Sequence, residues 1–272
     1  MRLKISHITE YSYSAPVQYS LQRLRLTPKT GPGQTVLFWK TSVEGAKMEL
    51  GYDDHFENHV DLVSTNADQT VIRIVAEGEV ITKDTAGIVG PHMAFGPLWL
   101  YDRVTELTTP GLHVEALIAN VTGDNDLARM HNLMAAIAEQ VEYTPGTTGI
   151  STTAEQALES RTGVCQDHAH VFITAARLMG LPARYVSGYL MMEATIDQVA
   201  THAWAETHIP GLGWVGFDPA NKVCPDERYV RIAYGLDFKD ASPVSGMVNG
   251  YATESLRVNI SVELQGQSQS QS

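Results

Sequence analysis

Over the first eighty or so residues, apolar and polar side chains alternate in short runs. Gln34-Thr35-Val36-Leu37-Phe38-Trp39 and Thr70-Val71-Ile72-Arg73-Ile74-Val75 are two of them, and clusters of Pro, Gly, Asp and Asn separate the runs. A period of two in segments rich in β-branched and aromatic residues predicts strands with one buried face. Thr30-Gly31-Pro32-Gly33 and Tyr52-Asp53-Asp54-His55 have turn compositions. Residues 1–84 are therefore expected to form an antiparallel β-sandwich.

Between 85 and 123 neither period dominates, and Gly90-Pro91 and Gly96-Pro97 mark loops, so this stretch reads as a connector. The period then changes. From Asp124 to Glu142, the residues Leu127, Met130, Leu133, Met134, Ile137 and Val141 recur at threes and fours, which predicts an amphipathic helix. Ala154–Ser160 predicts a second helix. A third runs from about Cys165 to Met179, with Phe172, Ala175, Ala176 and Met179 on one face and Gly180 and Pro182 as stops. Strand periodicity returns at 185–190, 203–209 and 213–217, with further strand-like segments at 229–234 and 255–263. The expected fold class is α+β: the sandwich, the connector, then helices packed on an antiparallel sheet over 124–264. Residues 265–272 are Gln and Ser low complexity with little to bury, and are expected to be disordered.

Composition narrows the function. At 272 residues with 43% hydrophobic content the chain should be globular. A net charge of -12, without clusters of Lys and Arg, excludes a nucleic-acid groove. Met1 to His7 alternates like a strand and holds no apolar run of signal-peptide or membrane-span length. A cytoplasmic location without a membrane partner is the expectation. In that compartment Cys165 and Cys224 stay reduced. No CxxC pair is present, and His168 and His170, two apart, diverge on a helix, so no metal or cofactor is called for.

Cys165 lies in Gly163-Val164-Cys165-Gln166-Asp167, where a loop enters the third helix. A helix N-terminus offers unpaired amide donors and a partial positive charge, which stabilise a thiolate and a developing oxyanion. Taken alone, a free cysteine is more often a buried structural residue. Downstream, His202, Trp204, Glu206 and His208 share one strand face, and Ala203, Ala205, Thr207 and Ile209 form the core face opposite. On this reading His202 is an accessible base, Trp204 walls the site, and Glu206 and His208 are ordinary surface groups. Asp218 ends the next strand. A regular four-residue loop over Pro210–Gly213 would point His202 and Asp218 to opposite faces, so an odd loop length or a bulge at Gly211 or Gly213 is expected.

Four blocks in order carry a resemblance: Gly163-Val164-Cys165-Gln166-Asp167, Leu181-Pro182-Ala183-Arg184-Tyr185-Val186-Ser187-Gly188-Tyr189, His202-Ala203-Trp204-Ala205-Glu206 and Gly213-Trp214-Val215-Gly216-Phe217-Asp218-Pro219. Together they resemble the bacterial transglutaminase-like superfamily. Tyr11-Ser12-Tyr13 and Leu24-Arg25-Leu26-Thr27-Pro28 are similar to the β-sandwich that precedes such cores. The resemblance implies a papain-like cysteine fold with Cys165 as nucleophile, His202 as base and Asp218 as orienting carboxylate. It implies an enzyme acting on a peptide or protein amide substrate, with hydrolysis favoured over transfer to an amine acyl acceptor; the alternative from another class is a catalytically silent binding module. His168 departs from the pattern, standing where an aromatic such as Phe is expected. The oxyanion side chain is not identifiable from sequence. Gln166, Trp204 and Tyr143 are carried as candidates for substrate or oxyanion contact, Tyr143 reading better as packing beside the helix end.

Overall fold

The computed structural model describes residues 1–192, 197–249 and 252–265. The chain begins with β1 (Arg2–Tyr13), β2 (Tyr19–Leu24), β3 (Gln34–Glu44), β4 (Ala46–Asp53), β5 (His59–Thr65) and β6 (Val71–Thr82). It continues through β7 (Ile88–Gly90), α1 (Leu112–Ile118), α2 (Asp126–Gln140), β8 (Glu142–Tyr143), α3 (Ala154–Ser160), β9 (Thr162–Gly163) and α4 (Cys165–Leu178). Then follow β10 (Ala183–Leu190), β11 (Asp197–Gln198), β12 (His202–Ile209), β13 (Gly213–Phe217), β14 (Tyr229–Gly235), α5 (Phe238–Ala241), β15 (Val244–Asn249) and β16 (Glu254–Leu264).

Burial alternates along β1, turning Leu3, Ile5, His7, Thr9, Tyr11 and Tyr13 inward. The strand lies between β6 and β16 in a sheet ordered β11-β16-β1-β6-β3, and a second sheet runs β15-β2-β5-β4. Leu3, Ile5, Ile72 and Ile74 of the first sheet share a core with Leu24 and Val63 of the second. The sandwich is thus antiparallel, as its period of two predicts.

Its boundary differs from the expected one. β15 and β16, expected within the catalytic half at 124–264, belong to the sandwich: β16 pairs with β1 from Leu3↔Leu264 to Tyr13↔Glu254, and β15 pairs with β2. Alternation made β16 recognisable as a strand, but period says nothing about which distant edge a strand will join. The connector is also partly structured. β7 joins the edge of the second half's sheet through β13, and α1 packs on α3 and α4. Disorder was expected from 265 on. Gln265 donates its backbone N–H to the Arg2 carbonyl at 2.8 Å, and the rest of that segment lies outside the described residues.

The C-terminal half is built on an antiparallel sheet ordered β14-β10-β12-β13-β7. Helix α4 crosses β12 and β10 and is surrounded on its other sides by α1, α2 and α3. Every residue from Asp167 to Arg177 is therefore buried. Phe172 stacks on Phe217 with ring centres 5.1 Å apart, which ties the helix to the residue preceding Asp218. At the far end Arg177 donates to the carbonyls of Tyr101 (2.8 Å) and Leu236 (2.7 Å) and so anchors the helix C-terminus. A helix fixed at both ends holds its first residue still.

The opposite face of the sheet is largely covered by the sandwich half. The side-chain amides of Gln34 and Asn58, both from the sandwich half, pair with the backbone of Arg231 and Tyr234 on the edge strand β14, at 2.8–3.0 Å. Each amide takes the place of a missing neighbouring strand and blunts an edge that would otherwise be exposed. The expectation of a solvated polar face on β12 is corrected accordingly. Glu206 is 1% exposed and His202 7%, because the sandwich covers this face and cationic partners neutralise its acids.

Candidate active site

Cys165 is the first residue of α4, partly buried, with Val164 as the extended N-cap. Asp167 secures this turn: its Oδ2 accepts from the Val164 N–H at 2.8 Å and from the Thr148 hydroxyl at 2.7 Å. A side chain at position 163 would collide with it, since a Cβ there would lie 2.7 Å from that of Asp167. Gly163 is what lets the loop and the helix close so tightly.

The loop before the cysteine has a second tether. β8 and β9 form a two-residue parallel ladder that sets Tyr143 opposite Gly163. His168 strengthens the junction, its ring nitrogens lying 2.9 Å from the Val164 carbonyl and 3.0 Å from that of Val141. The phenylalanine expected here could make neither contact. The departure from the family pattern joins the start of α4 to the end of α2.

β12 and β13 form the hairpin that carries His202 and leads into Asp218. Register runs from Ala205↔Phe217 to Ile209↔Gly213, leaving Pro210, Gly211 and Leu212 as a loop of odd length. Gly211 and Gly213 have φ of 84° and 83°, the left-handed conformation that such a tight connection uses. In this register 218 falls opposite 204, so His202 and Asp218 share a face. The condition that a four-residue loop would have broken is met.

His202 Nε2 lies 2.6 Å from Asp218 Oδ2, both groups buried. With Nε2 engaged by Asp218, Nδ1 is the other ring nitrogen, and Cys165 also acts on the protonation of the imidazole. Burial by itself pulls the imidazole pKa down. Asp218 and Cys165 outweigh it and push the value up to about 10. The ring therefore holds a proton across neutral pH. Burial acts the opposite way on Asp218, and is outweighed by His202, Asn221 and Tyr229, which hold the carboxyl below its usual range.

Asn221 and Tyr229 carried no sequence signal of such a role. The Asn221 amide donates to Asp218 Oδ2 at 2.7 Å, its backbone N–H donates to Oδ1 at 3.2 Å, and the Tyr229 hydroxyl donates to Oδ2 at 2.8 Å. Asn221 sits three residues beyond Asp218, a spacing at which a side-chain acid caps its own turn. Nothing in the local pattern shows that Tyr229 faces Asp218, because β14 reaches it through the sheet order.

The remaining candidates separate. Trp204 is 2% exposed, its ring 6.3 Å from that of His202 and nearly parallel to it. It supports the imidazole from behind, and its burial corrects the reading of it as a substrate contact. Tyr143 is 51% exposed and packs 6.1 Å from the His168 ring, as its packing reading has it. It also feels the site: burial first, then the charges of Cys165 and Asp218, raise its hydroxyl pKa, so it stays protonated as a donor. Gln166 is partly buried at the second position of α4. Cys224 is a free thiol, and burial pushes its pKa up to about 11.

Comparison with known proteins agrees with this architecture. Residues 115–219 match the transglutaminase-like superfamily, and residues 3–81 match the bacterial transglutaminase-like N-terminal region. An uncharacterized protein of Mycobacterium leprae is 28% identical over 275 residues, covering 96% of this chain and 98% of its own length. An uncharacterized protein of Mycobacterium tuberculosis is 27% identical, covering 97% and 92%. Among solved structures, a "putative cysteine protease" from Cytophaga hutchinsonii superposes with a TM-score of 0.78 at 20% identity, covering 98% of this chain and 92% of that one. At that identity the likeness concerns the fold.

Proposed function

Since the chain belongs to the transglutaminase-like superfamily, with the bacterial N-terminal region ahead of its core, we propose that it is a cysteine enzyme acting on amide or peptide bonds through Cys165, His202 and Asp218. The observation that carries this reading is the short, buried His202–Asp218 contact on an imidazole whose proton Cys165 also helps to hold. A purely structural cysteine has no need of either partner.

The Cys165 sulfur, having passed its proton to His202, attacks the carbonyl carbon, and an S–C bond forms as the carbonyl oxygen becomes an oxyanion. Amide donors at the start of α4 and the Tyr143 hydroxyl are the groups available to that oxygen. As the C–N bond breaks, His202 gives its proton to the departing amine, leaving a thioester on Cys165. Asp218 holds the ring in place and keeps Nδ1 directed at the sulfur. Water then attacks the thioester with His202 as base, which restores the thiol and releases an acid. Hydrolysis is the favoured outcome because water is always available as the acceptor. A primary amine in the same position would give acyl transfer.

The test is intact-protein mass spectrometry after incubation with a pool of glutaminyl peptides, with and without a primary amine. An acyl adduct on Cys165, absent in Cys165→Ala, is the expected result. Free acid as product then marks a hydrolase, and an amine-linked product marks a transferase. Peptide turnover that survives Cys165→Ala would contradict the proposal.

A further inference from the structure

The sheet face turned away from α4 carries a second cleft, of about 300 Å³, lined by none of Cys165, His202 and Asp218. Loops of the sandwich half, the segment around His92 and the back of the sheet enclose it. Arg184 and Arg231 contribute cationic groups, and Trp214, Tyr234, Val89 and Ile232 contribute apolar wall. A largely apolar concavity with few polar groups is the usual form of a small-molecule site.

The charges beneath it do not balance. Arg184, 4% exposed, places Nε and Nη2 at 2.7 and 2.6 Å from Glu206 Oε2. Arg231 brings Nε to 3.2 Å from Glu206 Oε1, yet that buried nitrogen makes no hydrogen bond. One carboxylate thus serves two guanidinium groups, and the buried cluster keeps one surplus positive charge. Groups at the rim do not cancel it. Lys29 pairs with Asp53 at 2.7 Å, and Glu57, which also lines the cleft, is exposed to water that screens its charge. His92 is occupied as well, flanked by the Gly96 carbonyl and the Trp214 indole N–H.

The faces of the Arg184 guanidinium are already used, since its central carbon lies 4.1 Å from the ring centres of both Trp214 and Tyr234. Arg231 is the cation with bonding capacity to spare. It shares Glu206 with Arg184 and its side chain is 22% exposed, so an anion arriving on Arg231 would offset a charge that half a carboxylate leaves under-compensated. One surplus charge matches a monoanion, and apolar walls match a ligand with an apolar body. A phosphate dianion fits neither.

We propose that this cleft binds a small monocarboxylate with a flat apolar body, its carboxylate on Arg231 and its body against Tyr234 and Val89, with the buried Trp214 indole reporting through His92. The site is independent of the thiol chemistry, so it should work equally in the Cys165→Ala protein.

The experiment is a titration of full-length Cys165→Ala with benzoate, benzamide and inorganic phosphate by isothermal calorimetry, with the Trp214 indole N–H followed by NMR. Benzoate should bind roughly tenfold or more tightly than its neutral isostere, the gain expected of a charge-assisted contact. It should move the Trp214 indole resonance. Arg231→Gln should abolish the preference and Arg231→Lys should keep part of it. Removing this cation leaves the Arg184–Glu206 pair balanced, so the variant should fold, and the wild-type comparison of the three ligands needs no variant at all. Equal affinity for benzoate and benzamide, binding of neither at about 10 mM, tighter binding of phosphate, or a Trp214 resonance that does not respond would overturn the proposal.

Discussion

Two carboxylates are buried on the same face of one hairpin. Asp218 is 0% exposed and Glu206 1%. Burial raises the pKa of each, and their partners more than reverse it. What separates them is the kind of partner. Glu206 faces two guanidinium groups, which stay charged at every pH the fold survives. Asp218 faces an imidazole, which can give up its proton, and beyond the imidazole a thiol. Depth and a shifted pKa do not identify a reactive acid. A titratable neighbour leading to a nucleophile does.

Removing the proposed nucleophile should have the largest effect. Cys165→Ala should reduce turnover to background and keep the wild-type circular dichroism spectrum, since a partly buried first-turn residue supports little of the core. If its activity matched that of the wild type, Asp218 would have no chemistry to orient. Asp218→Asn should come next, lowering kcat by roughly four orders of magnitude, the size seen when an orienting acid is neutralised in a comparable triad. It should also move the alkaline limb of the kcat/KM profile to lower pH, because Asp218 helps to hold the His202 proton up to about 10.

Stability gives a sharper contrast. Glu206→Gln should destabilise the fold by about 3–5 kcal/mol, because it strands the buried Arg184 and removes the partner of the half-buried Arg231. The shape of the activity profile should not change. Its stability deficit should stay level from pH 6.5 to 10, because guanidinium groups do not titrate there. For Asp218→Asn the deficit should shrink over that window. A histidine whose pKa is raised by folding lends its full stability below its unfolded value near 6.5, and loses it as pH rises towards about 10. Urea denaturation at several pH values reads both. Parallel curves for the two variants would erase the distinction drawn here.

The smallest effect belongs to the acid's supporting hydrogen bonds. Tyr229→Phe removes one donor to Asp218 Oδ2 and leaves those of His202 and Asn221. A fall of roughly tenfold in kcat/KM, with no change in iodoacetamide access to Cys165, is expected for one charge-assisted bond.

Much of this arrangement was legible in the sequence because it is local. The helix beginning at Cys165, the alternation in β12 and β13 and the turn glycines fix the elements, and the parity of the hairpin loop fixes which side chains share a face. What sequence hid depends on long-range pairing. β15 and β16 close the sandwich from the far end of the chain, Tyr229 reaches Asp218 through the sheet order, and Glu206 looked like a surface acid until Arg184, Arg231 and the covering sandwich surrounded it. His168 shows the same limit, since its contact with Val141 joins two helices whose packing no local period describes.

The central claim is that Cys165 is reactive because His202 and Asp218 make it so, and differential alkylation tests it most directly. Iodoacetamide at about pH 6 followed by peptide mapping should modify Cys165 and leave Cys224, whose burial holds it protonated. His202→Ala should remove that selectivity. Slow and equal labelling of both cysteines in the wild-type protein, or selectivity that persists without His202, would contradict the account.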